Sequence, residues 1–421
     1  MTATGRRNAV DTLKVRDARD VEQVVRAAIA SDQPLEIIGH GTRRLIGHPM
    51  ATNAVLDLSG LNAVSAYEPN ELIITVQAGA PLADVQSLID SKNQQFAFEP
   101  IDTSALLGVP GNGTIGGMIG AGLAGPRRIK AGGARDHLLG AHAVSGFGDS
   151  FKTGGRVVKN VTGYDLCKLL AGSWGTLAVM TEVTLKVMPK PESERTLVLA
   201  GLDDVTANRA MTTALGSPYD VSGAAHLPNS AFRPATGALA GLAAQGRAAT
   251  LLRLEGIAAS VADRAGSLAK TLSPFGSVET LQDAASAAAW GAIRDVEPFA
   301  ASGALGAWPV WRIVCPPASG GALGQALARD SGGDVIYDWG GGLIWAALPP
   351  KPDARAALVR QRVEAAGGHA SLLRAPEETR RNVDVFHPQA GGLAALSQRV
   401  RNSFDPKIIL NRGRMLLMTA T

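Results

Sequence analysis

Between Gly108 and Gly125 the chain places eight glycines among eighteen residues and carries no charge. Glycine loses more conformational freedom on folding than any other residue. A folded chain therefore keeps this many together only where backbone must turn sharply or be closely approached. Bare backbone also presents its N–H groups as a nest for an anion such as a pyrophosphate. Each N–H bonded to a charged phosphate contributes roughly 1.5–3 kcal/mol, so about three or four well-aimed ones can hold a dinucleotide.

Three other readings compete for this segment. Gly111-x-Gly113-x-x-Gly116 has the spacing of the Rossmann fingerprint, and Asp136 lies about the expected distance beyond it. Val109-Pro110 is not a strand, however, and Asp136 sits in the charged cluster Arg135-Asp136-His137 rather than at a strand end. A membrane helix over Ser104–Gly125 would lose about 1 kcal/mol per glycine and about 3 for Pro110 in helix propensity. A flexible linker would not carry Ile115, Met118 and Ile119. The phosphate cradle is the reading retained.

At 421 residues the chain has room for two or three domains with substantial cores. With 46% hydrophobic and 19% charged residues and a mean hydropathy of +0.08, it is globular rather than disordered. The net charge of +4 is mild, and no lysine or arginine stripe interleaves with aromatics, which argues against nucleic acid. Cys167 and Cys315 are the two cysteines, too few for an iron–sulfur cluster that wants about four thiolates. They also fit a reducing cytosol better than a disulfide scaffold. Met1–Arg7 leads into polar sequence with no signal-peptide core. The expected location is cytoplasmic, at most peripheral on the inner face of the cytoplasmic membrane.

The periodicity predicts a helix over Asp17–Ser31, with Val21, Val24, Val25, Ala28 and Ile29 on one face and Asp17 as N-cap. Leu35–Ile38 is a strand entering the turn Gly39-His-Gly-Thr42; Ala54–Leu58 and Leu72–Gln77 are further strands. Pro81–Ser91 is a helix with proline in its first turn. After the glycine run come a strand over Gly140–Ser145, a short helix over Tyr164–Leu170 and a long strand over Thr176–Met188. Pro189-Lys-Pro191 then marks a domain boundary.

Beyond it the order β-α-β-β-α-β occurs twice, each copy a ferredoxin-like unit. The first runs Arg195–Ala200, Asp203–Leu215, Asp220–His226, Ala249–Glu255, Ser260–Leu272 and Ser277–Leu281. The second runs Val310–Cys315, Gly321–Ala328, Asp334–Asp338, Gly342–Ala347, Asp353–Ala366 and Ser371–Leu373, its middle strands flanking the hairpin signal Trp339-Gly-Gly-Gly342. Between the copies Asp283–Val296 is an alanine-rich helix, and Gly392–Asn402 is a helix before the tail.

Several motifs follow one another in a recognisable order: Leu35–Thr42, Gly113–Gly117, Arg135-Asp-His-Leu-Leu-Gly140 and Lys159-Asn-Val-Thr-Gly-Tyr-Asp-Leu166. Then come Gly172-Ser-Trp-Gly-Thr-Leu177, Val179-Met-Thr-Glu182 and Phe404-Asp-Pro406 with Asn411-x-Gly413. The set resembles the FAD-binding oxidases of the vanillyl-alcohol-oxidase/para-cresol-methylhydroxylase type, and within them the FAD-binding subunits of bacterial glycolate oxidase. The resemblance implies an α+β chain: a two-subdomain FAD-binding fold of the vanillyl-alcohol-oxidase type plus a ferredoxin-like duplicated cap domain. Residues 1–190 would be the FAD-binding domain, 191–375 the cap, and 376–421 a segment returning to the FAD domain.

Laid onto matching residues, the resemblance puts Ile38, Gly39, His40, Gly41 and Thr42 at the first pyrophosphate turn. Thr114, Ile115, Gly116 and Gly117 match the second FAD-contacting turn, and Gly120 the small residue beneath the flavin. Thr162, Gly163, Tyr164 and Asp165 match a loop beside the isoalloxazine, and Gly172, Ser173, Gly175 and Thr176 the turn after it. Val179 matches a backbone contact to the adenosine end, and Asn411 an asparagine returning to the flavin region. Some relatives attach flavin through a histidine following the second glycine of the first turn. Thr42 stands there, so FAD is expected to be non-covalent and His40 a turn residue.

His137 is read as a structural hydrogen bonder whose neighbouring carboxylate could raise its pKa. His142, His226, His369 and His387 show no metal spacing and are read as structural, and His48 as a surface residue. Three departures from the resemblance stand out. The His-x-Gly-Asp-Gly-Asn-x-His type motif that supplies metal and base in related 2-hydroxyacid dehydrogenases has no counterpart; Trp174 replaces a glutamate; and Arg412 replaces a proline. No catalytic or metal-binding residue is assigned.

The implied activity is oxidation of a small 2-hydroxyacid, glycolate to glyoxylate, by an FAD-binding subunit. Its partners would be a catalytic flavoprotein sister and an iron–sulfur subunit that takes the electrons. Two alternatives stay open: a non-catalytic FAD-binding relay or assembly subunit, and a stand-alone FAD-dependent 2-hydroxyacid oxidase. Arg127, Arg128, Lys130, Arg135, Lys152, Arg156 and Lys159 make the central region basic, which suits FAD phosphates, an anionic substrate or a solvated face.

Overall fold

The computed structural model describes residues 11–52, 54–155, 164–232, 239, 242 and 246–416. The first sheet is parallel and three-stranded, in the order β1 (Asp11–Lys14), β3 (Ala54–Asp57), β2 (Leu35–Ile38). Helix α1 (Ala18–Ser31) covers it; the Asp17 carboxylate accepts from Asp20 N at 2.9 Å, and Val21, Val25 and Ala28 are buried. The chain's end returns here. Leu35 N donates to Ile409 O at 2.9 Å and Asn411 N to Leu35 O at 3.0 Å, so the tail runs alongside β2.

The second sheet is five-stranded, in the order β4 (Val64–Glu68), β5 (Ile73–Gln77), β9 (Ala178–Lys186), β7 (Leu138–Ser145), β8 (Ser150–Gly154). Helices α2 (Leu82–Asp90), α3 (Ser104–Leu107) and α4 (Ile115–Ala121) occupy the stretch that connects β5 to β7. Ile115, Met118 and Ile119 of α4 pack with Ile74, Val76 and Val183 of the sheet, which is why the glycine run carries those apolar residues. Strands β6 (Gln94–Gln95) and β10 (Met188–Pro189) form a two-stranded ribbon just before the Pro189–Pro191 breaker.

The third sheet is eight-stranded, in the order β14-β11-β13-β12-β16-β17-β15-β18. Its strands are β11 (Ser193–Ala200), β12 (Gly223–Leu227), β13 (Ala249–Gly256), β14 (Val278–Gln282), β15 (Val310–Val314), β16 (Asp334–Asp338), β17 (Leu343–Ala347) and β18 (His369–Arg374). The two sequence copies fuse into this one sheet where β12 meets β16, with His226 opposite Tyr337. Strand alternation sorts its faces. Leu197, Leu199, Leu252, Leu254, Trp311 and Ile313 face the helices Asp204–Leu215, Ala258–Leu272, Gly320–Ser331 and Ala356–Ala365. Val198, Leu251, Ile336 and Trp345 face the helix Asp283–Arg294 and residues Ile46, Leu106, Leu107 and Leu123 of the first half.

Two local expectations differ from the structure and one gains detail. The helix expected over Tyr164–Leu170 spans only Cys167–Leu170. The signal Trp339-Gly-Gly-Gly342 is the loop of the expected hairpin, with β16 and β17 antiparallel on either side, and it takes a 3-10 turn with Trp339 left-handed at φ 54°. His48 is not at the surface: it is 5% exposed, because Arg380 and Val385 fold back over it. Its Nδ1 lies 2.7 Å from Arg380 O, and Val385 N donates to its Nε2 at 3.5 Å.

Candidate functional site

Two glycine turns meet at the mouth of one cleft. The first leaves β2 at Ile38 and runs through Gly39–Thr42; the second, Gly111–Thr114, enters α4, where Thr114 is the N-cap and accepts from Gly117 N at 3.2 Å. The turns touch. A Cβ at Gly39 would run into the Thr114 side chain, and one at Gly113 (φ 80°) would lie 2.7 Å from Thr42 Oγ1 and 2.9 Å from an Arg43 guanidinium nitrogen. Gly116 donates to Ala78 O at 2.7 Å, and a Cβ there would stand 2.8 Å from that residue's Cβ. Glycine is needed at this seam because Thr114, Thr42 and Arg43 of the facing turns, and the Ala78 backbone and Cβ, fill the space a Cβ would take.

The cleft is lined by Ile38, Gly39, His40, Gly41, Thr42, Thr114, Gly116, Gly117, Gly120, Gly175 and Asn411. Among the described residues, none accepts from the backbone N–H groups of Gly39, His40, Gly41, Thr42 or Arg43. Thr42 and Arg43 are buried while Gly39 and Gly41 are half-buried and His40 is exposed, so this row of free donors faces whatever enters the cleft. Two arginines not singled out in the sequence add positive charge to it. Arg43 and Arg414 line the cleft, are 8% and 6% exposed, and each leaves its buried Nε without a partner. Their other contacts are neutral: Arg43 donates to Ile101 O at 3.2 Å, and Arg414 donates to Arg43 O at 2.6 Å and stacks on Trp174 at 5.4 Å. Burial pulls both guanidiniums below their ordinary value, Arg414 to about 10. The sequence signal was present, since Arg43-Arg44 directly follows the turn. Arg44 is spent on Glu36, at 2.8 Å.

The remaining candidate residues are placed as follows. Ile115 and Val179 are fully buried in the two cores, so only their backbone is available. Ser173 and Thr176 close their own turn: Ser173 Oγ donates to Leu170 O at 2.8 Å and Thr176 Oγ1 to Ser173 O at 2.7 Å. Asn411 is a tie, its Oδ1 accepting from Ile37 N at 2.8 Å and its Nδ2 donating to Trp174 O at 2.7 Å. Gly172 (φ 82°) donates to Ile119 O at 3.0 Å and lines a second cavity instead. Tyr164 is 93% exposed and Asp165 is exposed beside it, while Thr162 and Gly163 lie outside the described residues.

His137 is buried, with Nε2 2.9 Å from Ala131 O. Burial lowers its pKa, and the nearby Asp136 does not reverse that; the expectation of a raised value is corrected. Asp136 instead accepts from Gly133 N at 2.8 Å. The basic region also divides. Arg127 pairs with Glu99 and Glu255, and Lys130 with Asp220, while Arg156 and Lys159 lie outside the described residues.

Residues 12–154, which contain both turns, match the family model described as FAD binding domain. Over 396 residues the chain is 29% identical to the glycolate oxidase subunit GlcE of Escherichia coli, covering 93% of this chain and 95% of that one. It is 35% identical over 184 residues to the glycolate oxidase subunit GlcD of Bacillus subtilis, but there the match spans 43% of this chain and 38% of the relative. Among solved structures, p-cresol methylhydroxylase with substrate bound superposes with a TM-score of 0.69 at 14% identity, over 96% of this chain and 88% of that one. The fold is therefore that of the p-cresol-methylhydroxylase-type flavoproteins. The free N–H row of the first turn, with Arg43 beside it and Arg414 from the tail, fits a dinucleotide's diphosphate. Among the described residues no helix is long and apolar enough to cross a membrane.

Proposed function

We propose that the chain is the FAD-binding subunit of a glycolate-oxidase-type complex, acting on a small 2-hydroxyacid. The observation that carries the reading is the first glycine turn, whose N–H groups have no acceptor among the described residues, with Arg43 and Arg414 beside it. FAD, held non-covalently, supplies two-electron chemistry and so needs an outlet for single electrons. With two cysteines the chain cannot build an iron–sulfur outlet of its own, which supports an iron–sulfur partner subunit beside a GlcD-like sister. In this reading the N–H groups of Gly39–Thr42 cradle the diphosphate, the missing side chains of Gly116 and Gly117 let it approach α4, Arg43 and Arg414 neutralise it, and Gly120 leaves room for the ring. The turn Ser173–Thr176 flanks the ring, and the Val179 backbone meets the adenosine end. Asn411 positions the cradle by tying β2 to the Trp174 turn.

A second reading, an electron-relay or assembly subunit, is favoured by the missing His-x-Gly-Asp-Gly-Asn-x-His motif. One experiment separates these two subunit readings from a stand-alone oxidase. The purified chain is examined by visible spectroscopy, then given glycolate without oxygen, alone and with its partner subunits. A yellow protein that bleaches only with partners supports the subunit reading. One that bleaches alone points to an independent oxidase, and a colourless protein sinks the FAD assignment for this chain.

A further inference from the structure

A second cavity, of about 640 Å³, opens where the first half of the chain meets the eight-stranded sheet. It begins where the cofactor cleft ends. Helix α4 presents Gly120 to the cleft and its C-cap Gly122 to the cavity, where a Cβ would stand 3.0 Å from Gly172 Cα. The far wall is the sheet face that carries Arg312 of β15 and Trp339. Trp339 is fixed, its Nε1 donating to Gly125 O at 3.0 Å. Two guanidiniums stack on its ring, Arg128 at 5.0 Å and Arg312 at 5.1 Å, and Arg135 stands at the mouth.

Neither stacked cation forms an ion pair with a carboxylate among the described residues, and the buried Arg312 Nε has no hydrogen-bond partner. Asp338, which precedes Trp339 in the chain, turns its carboxylate to Trp339 N at 2.7 Å and makes no ion pair with Arg312. Cations brought together with no counter-charge are unfavourable unless something else supplies it. A planar guanidinium fork matches the two coplanar oxygens of a carboxylate.

We propose that Arg312 and Arg128, held against Trp339, form a binding site for the carboxylate of a small organic acid. That an anion binds here follows from the geometry alone; that it is a carboxylate rests on the 2-hydroxyacid reading above. Arg312 is the inner ligand, Arg128 the outer one, and Trp339 the platform that orients both.

The test uses the full purified chain as isolated, with oxalate as probe, followed by calorimetry and by tryptophan fluorescence, since Trp339 is in the wall. Wild type is expected to bind oxalate saturably, more tightly than inorganic phosphate. Arg312→Met and the exposed Arg128→Gln should each weaken binding about tenfold or more, as expected for losing a charge-assisted hydrogen bond. The flavin absorbance per chain should stay unchanged in both, which keeps this result separate from the FAD assignment. Arg312→Met should also melt at a higher temperature than wild type, because an unpaired cation has been replaced by an apolar chain. Absent saturation, or binding that both variants leave within about twofold, overturns the site. A preference for phosphate overturns the carboxylate assignment, and a lowered melting temperature in Arg312→Met overturns the claim that this arginine is uncompensated.

Discussion

Arg253 and Arg312 lie on the same face of the same sheet, each stacked on a tryptophan, at 4.6 Å from Trp290 and 5.1 Å from Trp339. Their electrostatics are opposite. Arg253 donates to both Glu99 oxygens, at 2.8 and 3.0 Å, and lies 3.5 Å from Glu255. Burial would lower it, but those carboxylates carry it above its ordinary value. Arg312 has no carboxylate in ion-pair contact among the described residues, and burial with the like charge of Arg128 outweighs the attraction of Asp338 and pulls it down to about 10. The first arginine completes a junction, with Glu99 of the first half bridging Arg127 and Arg253. The second leaves a charge unanswered beside a cavity. Burial alone does not identify a functional cation; the missing counter-charge does.

The largest effect expected from this contrast is on the paired side. Glu99→Gln leaves Arg253, 1% exposed, with its strongest carboxylate removed. Breaking a buried pair from one end costs about 3–5 kcal/mol. Urea denaturation should show that loss, in the direction opposite to Arg312→Met. Equal and same-signed shifts in the two variants would erase the distinction.

Asp338 sharpens the comparison because it sits between the two systems. Burial pushes its carboxyl up to about 7, against the Trp339 N–H and the attraction of Arg253 and Arg312. Its folded pKa is above the unfolded value of 3.8, so the native state holds the proton more tightly. Its contribution to stability is therefore greatest below about pH 4 and declines as pH rises toward 7. The ceiling on that decline is about 4 kcal/mol, at 1.36 kcal/mol per unit. Asp338→Asn keeps an acceptor for the Trp339 N–H and should be more stable than wild type at pH 8. Thermal melts from pH 4 to 8 should show the gap closing on the acid side; a pH-independent gap would remove Asp338 from the account.

How far these regions were legible in sequence follows from the range of the forces involved. The turns at Gly39–Thr42 and Gly111–Thr114 could be read because glycine spacing and an N-cap are local signals. The strand and helix order of the fused sheet was readable for the same reason, through its apolar alternation. Arg312 was not, since its meaning depends on Arg128 and Trp339 arriving from distant segments with no carboxylate among them. Arg414 escaped for the same reason. His48, between Gly47 and Pro49, looked like a surface turn until Arg380 and Val385 closed over it. Arg127 read as part of a basic patch, yet it is consumed by Glu99 and Glu255.

The smallest expected effect tests the cofactor cleft against the ion-paired junction. Thr114 caps α4 through one hydrogen bond to Gly117 N and also fills the space beside Gly39. Thr114→Ala should cost about 1 kcal/mol, the usual value of an N-cap. Thr114→Ser keeps the capping oxygen and should recover most of it. The cap also holds the N–H groups of Gly116 and Gly117 in place at the cleft, so the alanine variant should lose FAD on dilution sooner than wild type. Flavin fluorescence after gel filtration would read this directly. A variant that loses the stability but retains FAD as wild type does would mean that α4 is positioned by its packed residues Ile115, Met118 and Ile119 alone. The glycine turn would then be a packing device rather than a cradle.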